Sequence, residues 1–75
     1  MHSGKDMPDG WLYFNKEALR CRPGLTLADL LARKGLAPNQ VTTAVNGTFV
    51  PREQRTVTRL KVGDEILTFQ AIVGG

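Results

Sequence analysis

Only one cysteine, Cys21, stands in this 75-residue sequence, so no internal disulfide can form and the chain suits a reducing cytoplasm. Its neighbours Arg20 and Arg22 would activate a thiol if they reached it. On a strand, however, adjacent side chains face opposite ways, and a half-buried structural role is expected. Histidine is equally scarce: His2 has no companion ligand near it, and no metal site is expected. No apolar stretch approaches the ~20 residues of a membrane span. The first ten residues lack both the apolar core of a secretory signal and the periodicity of a structural element, so residues 1–10 are expected to form a flexible extension. There is no glycine-rich phosphate loop, and no Ser/His/Asp set with enough fold around it to act as a triad. The seven acidic residues are scattered. A domain this small buries a modest share of its surface and does not enclose a deep cleft alone, so a self-contained enzyme is not expected and no catalytic residue is assigned.

What is present begins with a mild excess of positive charge, +3 overall with a pI near 9.5. Arg52, Arg55, Arg59 and Lys61 crowd one segment, but Glu53, Asp64 and Glu65 lie among them, and no aromatic-rich RNA-binding stretch accompanies them. The expected reading is a solvated face of mixed charge, not a nucleic-acid surface.

The order of elements is legible from local chemistry. Trp11-Leu12-Tyr13-Phe14 reads as a strand, Asn15-Lys16-Glu17 as a turn, and Ala18 to Arg22 as the returning strand. Pro23-Gly24 breaks the pattern. Thr26 is placed as an N-cap with Asp29 in capping-box position, and Leu27, Leu30 and Leu31 form one apolar stripe of a helix of two to three turns. Asp29 and Arg33 stand at i, i+4, Gly35 is the C′ residue, and Pro38 bars continuation. Val41 to Val45, the hairpin turn Asn46-Gly47, and Thr48 to Val50 follow, with Pro51 confining the last of these to a sheet edge. Pro51 to Gln54 reads as a turn, Thr56 to Val62 as irregular or weakly extended, Gly63-Asp64 as a turn, and Glu65 to Val73 as the longest strand. The order β-β-α-β-β-β with one helix specifies an α+β domain over 11–75, a mixed five-stranded sheet covered on one face. The last strand is apolar in both phases, with Ile66 and Ile72 on one side and Leu67, Phe69, Ala71 and Val73 on the other. One side therefore leaves an exposed apolar patch, the usual mark of a docking surface.

The sequence closes on Gly74-Gly75. A terminal carboxyl, with a reference pKa of ~3.3–3.7, is an ionised oxygen nucleophile at neutral pH, and two residues without Cβ can thread a narrow channel. Val45-Asn46-Gly47-Thr48-Phe49-Val50-Pro51-Arg52-Glu53-Gln54, Gly63-Asp64-Glu65-Ile66-Leu67-Thr68-Phe69-Gln70 and Ile72-Val73-Gly74-Gly75 together resemble the sulfur carriers of thiamine biosynthesis, the ThiS family of the ubiquitin-like β-grasp fold. Leu12 to Asn15 and the Cys21 region match that family's first hairpin, so the resemblance covers residues 11–75. The small subunit of molybdopterin synthase shares this fold and terminus but carries prolines where Gln70-Ala71-Ile72-Val73 stands here.

The resemblance implies a protein cosubstrate acted on by partner enzymes. An E1-like (ThiF-like) adenylyltransferase would use ATP and Mg²⁺ to adenylate Gly75, and a cysteine desulfurase or related route would supply the sulfur of a Gly75 thiocarboxylate. A ThiG-like thiazole synthase would receive it. Ile72, Val73 and Gly74 would enter the partner's active site, while Leu67, Phe69 and Arg52 are the candidate docking surface. The alternatives are a thiocarboxylate donor to molybdopterin or another product and, in a different class, a noncovalent β-grasp module binding RNA.

Overall fold

Two asparagine-bearing turns build the sheet from local pieces. In the computed structural model, which describes residues 10–70, strand β1 (Gly10–Phe14) turns through Asn15 and Lys16 into β2 (Glu17–Cys21). Strand β3 (Val41–Val45) turns through Asn46 and Gly47 into β4 (Thr48–Val50). All four turn residues have positive φ, the geometry of the two-residue turn whose twist matches that of paired strands. The first turn is thus one residue tighter than expected: Glu17 pairs with Phe14 and belongs to the strand. The strand also starts one residue early. Gly10 pairs with Cys21, and a Cβ at Gly10 would lie 2.6 Å from a methyl of Val62, so the expected extension loses its last residue to the sheet.

Helix α1 (Leu27–Arg33) is seven residues long and closed at both ends by its own sequence. The Thr26 hydroxyl accepts from the Asp29 amide at 3.1 Å, and the Asp29 carboxylate accepts from the Thr26 amide at 3.2 Å, a complete capping box. That use of Asp29 replaces the expected pairing with Arg33: among the described residues no ion pair joins them. At the far end Gly35 has φ of 74°, its amide donates to Ala32 and the Leu36 amide to Leu31, the two bonds of a Schellman motif.

The remaining elements are a 3₁₀ helix (Arg52–Val57) and β5 (Glu65–Gln70). The 3₁₀ helix replaces the simple turn expected at 51–54 and takes in the start of the segment read as irregular. Strand order is β2-β1-β5-β3-β4, with β5 parallel to β1 and antiparallel to β3, and β4 at an edge as Pro51 requires. This is the mixed five-stranded β-grasp sheet with one helix on one face. Its core is Leu12, Phe14, Cys21, Val50 and Ile66 from the sheet, Leu27, Leu30 and Leu31 from α1, and Leu25 and Leu60 from the connections. Ile66 is completely buried and decides the phase of β5: the even-numbered side faces the helix. Cys21 lies inside this core, more deeply than the half-buried position expected of it.

Truncating Ile66 to Ala removes a fully enclosed branched side chain, with an expected loss of about 2–5 kcal/mol. Urea unfolding should show it as a lower midpoint at unchanged slope. Thr26→Ala, which removes only the cap, should cost about 1 kcal/mol in the same experiment.

Candidate functional site

The candidate chemistry follows β5, because residues 71–75 continue from its end. Ile72, Val73, Gly74 and Gly75 themselves lie outside the described residues, as do residues 1–9. The structure shows instead how the strand leading to them is held. Asn15, in the first turn, uses its side chain twice on Thr68: Oδ1 accepts from the Thr68 amide and Nδ2 donates to the Thr68 hydroxyl, both at 2.9 Å. Asn46, in the second turn, does the same at the start of the strand. Its Oδ1 accepts from the Glu65 amide and its Nδ2 donates to Asp64, again at 2.9 Å. The other Asp64 carboxylate oxygen accepts from the Lys61 amide at 2.7 Å, so this buried acid has hydrogen bonds at both oxygens. Turn chemistry in the sequence signalled both asparagines, but nothing in it signalled their second use as clamps on a strand up to 53 positions away.

Leu67 and Phe69 stand on the face of β5 opposite Ile66, the face the helix leaves open. Phe69 is 54% exposed and Leu67 partly so. Trp11 and Tyr13 of β1 and Phe49 of β4 share that face, at 51%, 43% and 61% exposure. Register aligns Phe49, Ala44 and Leu67 in one row across β4, β3 and β5, and Thr42 with Phe69 in the next. Phe69 is therefore the aromatic group nearest the end from which 71–75 continue. Arg20 of β2 covers one side of the Trp11 ring, 5.2 Å from its centroid. Sequence reasoning found Leu67 and Phe69 but not Trp11, Tyr13 and Phe49. The alternation of buried Leu12 and Phe14 with the two aromatics was the available signal for the first pair.

Arg52 occupies the first position of the 3₁₀ helix beside the β4 edge and lines a cleft with Thr42 and Phe49, which register places in the rows of Phe69 and Leu67. The larger departure is Arg55. It was read as part of a solvated mixed-charge face, yet it is 4% exposed. Its Nε donates to the Thr43 hydroxyl at 3.3 Å, and its two terminal nitrogens donate to the carbonyls of Pro38 and Val41 at 2.9 and 2.7 Å. Burial, and secondarily the positive charge of Arg52, hold its pKa below the ordinary guanidinium value. Asp64 likewise leaves the expected charged face for the interior. Among the described residues no group of three His, Cys, Asp or Glu side chains is arranged to hold a metal ion. No helix among them is long and apolar enough to cross a membrane.

The family model described as the ThiS family matches residues 12–75. The chain belongs to the ThiS family. A curated relative, the sulfur carrier protein ThiS of Escherichia coli strain K12, is 38% identical over 64 residues, which span 85% of this chain and 97% of that protein. A crystal structure of the thiamine biosynthesis protein ThiS from Geobacter metallireducens superposes with a TM-score of 0.72 at 26% identity, covering 87% of this chain and 97% of that one. This ThiS-family chain is a sulfur carrier protein, and its β5 and aromatic open face are parts of the carrier domain.

Asn15→Ala removes both side-chain bonds to Thr68 and places a residue with a Cβ and no local hydrogen bond at positive φ. The expected cost is about 1–2 kcal/mol. Amide exchange at Thr68, read by NMR, should accelerate more than at Leu12, because the damage is local to the end of β5.

Proposed function

We propose that this carrier acts in the cytoplasm in thiamine biosynthesis, that Gly75 is its modified residue, and that its thiocarboxylate delivers sulfur to the thiazole moiety. The observation that carries this reading is the family match over residues 12–75, on a domain whose central strand leads to those last residues. In the proposed sequence an oxygen of the Gly75 carboxylate attacks the α-phosphate of ATP in the active site of an E1-like adenylyltransferase, with Mg²⁺ and ATP held by that enzyme. Pyrophosphate leaves and an acyl-adenylate forms. The terminal sulfur of a persulfide, derived from cysteine by a desulfurase or a related source, then attacks the acyl carbon and AMP departs; a thiol reduces the resulting acyl disulfide, and the thiocarboxylate so released is consumed by a thiazole synthase.

The division of labour follows from residue chemistry. Glycine at 74 and 75 leaves the acyl carbon unobstructed, and Ile72 and Val73 supply apolar grip inside the partner's channel. Leu67 and Phe69, with Trp11, Tyr13 and Phe49 beside them, form an apolar area on a face that no helix covers, suited to docking the enzymes that load and unload the carrier. Delivery to thiazole rather than molybdopterin is supported by the family matched and by Gln70-Ala71-Ile72-Val73 in place of prolines.

Deleting Gly74 and Gly75 tests the reading. The truncated chain should unfold at the same temperature as the full chain, while thiazole formation in a reconstituted system falls to background. Retained activity after that deletion would instead indicate a noncovalent binding module. Phe69→Asp should leave Gly75 chemically intact but weaken association with the adenylyltransferase by about tenfold or more, measured by calorimetry.

A further inference from the structure

A groove on the helix side of the domain, lined by neither Leu67 nor Phe69, has the composition of a second recognition site. It lies between α1 and the 3₁₀ helix, with a volume of about 290 Å³. Its floor is apolar, made of Ala28, Leu31, Ala32 and Leu36, and Arg52 and Arg55 line it from the 3₁₀ helix. Arg55 is buried against three neutral acceptors, and among the described residues no carboxylate lies within ion-pair distance of it. Those bonds occupy three of its five N–H groups and leave one on each terminal nitrogen. The Arg52 side chain makes no hydrogen bond or ion pair among the described residues.

A buried cation is ordinarily paired, because neutral acceptors replace only part of its lost hydration. Here the nearest charge on the same element is another cation, and the one acid nearby, Glu53, borders an adjoining cleft with the two arginines and pairs with neither. The local balance is one positive charge in excess beside an apolar floor. The complement is a carboxylate carried next to an aliphatic group. The groove is partly open, so a small molecule seated in it keeps part of its surface in solvent. It suits a side chain presented by a larger surface.

We propose that this groove docks an acidic segment of a partner protein, an aliphatic side chain lying on Leu31, Ala32 and Leu36 and an adjacent carboxylate bridging Arg52 and Arg55. None of Trp11, Tyr13, Leu67 and Phe69 lines the groove, and Phe49 meets Arg52 and Arg55 only in the adjoining cleft. One protein can therefore hold the carrier through the groove while another engages the sheet.

An NMR titration of the full chain with two blocked dipeptides, acetyl-Leu-Glu-amide and the isosteric acetyl-Leu-Gln-amide, tests the proposal without a known partner. The acidic peptide should shift the amides of Leu31, Ala32, Leu36 and Thr56 and the side-chain Nε–H of Arg55 saturably, and bind about tenfold more tightly than its neutral counterpart. Arg52→Gln, a change at an exposed position, should reduce the acidic peptide to the affinity of the neutral one while leaving the unfolding temperature unchanged. Equal binding of the two peptides, shifts confined to Trp11, Tyr13 and Phe69, or no saturable shift overturns the proposal. So does competition by inorganic phosphate at equal strength, which would make this a small-anion site.

Discussion

Strand β5 is held between two hairpins that have no other direct connection within the sheet, and the fold depends on that insertion. Each hairpin alone is a two-stranded ribbon, a form that is marginally stable in water. β5 joins them through parallel pairing to β1 and antiparallel pairing to β3, and its Ile66 fills the centre of the core against α1. The two turn asparagines reinforce the same join from opposite ends. Asn46 secures Asp64 and Glu65 where the strand begins, and Asn15 secures Thr68 near where it ends. Residues whose local task is to allow positive φ thus also bind the strand that converts two ribbons into one sheet.

The single helix sets the second constraint. It covers the face carrying Leu12, Phe14, Cys21 and Ile66, which leaves the opposite face with Trp11, Tyr13, Phe49, Leu67 and Phe69. No second layer among the described residues lies there, so exposure of that apolar area follows from the architecture. Under the proposed function, such a face gives association energy at a distance from the reacting atom.

Local chemistry in the sequence was enough to locate both hairpins, the capping box at Thr26 and Asp29, the Gly35 stop and the edge position of β4, because each depends on neighbours within a few residues. The phase of β5 was not legible, since both of its sides are apolar and only the three-dimensional position of α1 distinguishes Ile66 from Leu67. Arg55 and Asp64 were misread as surface charges for a related reason. Their burial is made tolerable by partners at Pro38, Val41, Thr43, Asn46 and Lys61, contacts that no periodicity announces. Arg52 was singled out by its place in a family-like segment, while the groove it shares with Arg55 emerges only when the 3₁₀ helix packs beside α1. The proposed reactive residue was legible from the terminal Gly-Gly and from the resemblance, not from the pattern of the fold.

The central claim is that sulfur is carried on the carbonyl carbon of Gly75. Its most direct measurement is mass mapping of the C-terminal peptide after the chain is incubated with its adenylyltransferase, ATP and a sulfur source. Mapping is needed because oxidation of Met1 or Met7 changes the intact mass almost as oxygen-to-sulfur exchange does. The account predicts a mass gain of one oxygen-to-sulfur exchange confined to the peptide ending in Gly75, dependent on ATP. An unmodified Gly75, under conditions that charge another member of the family, would contradict it.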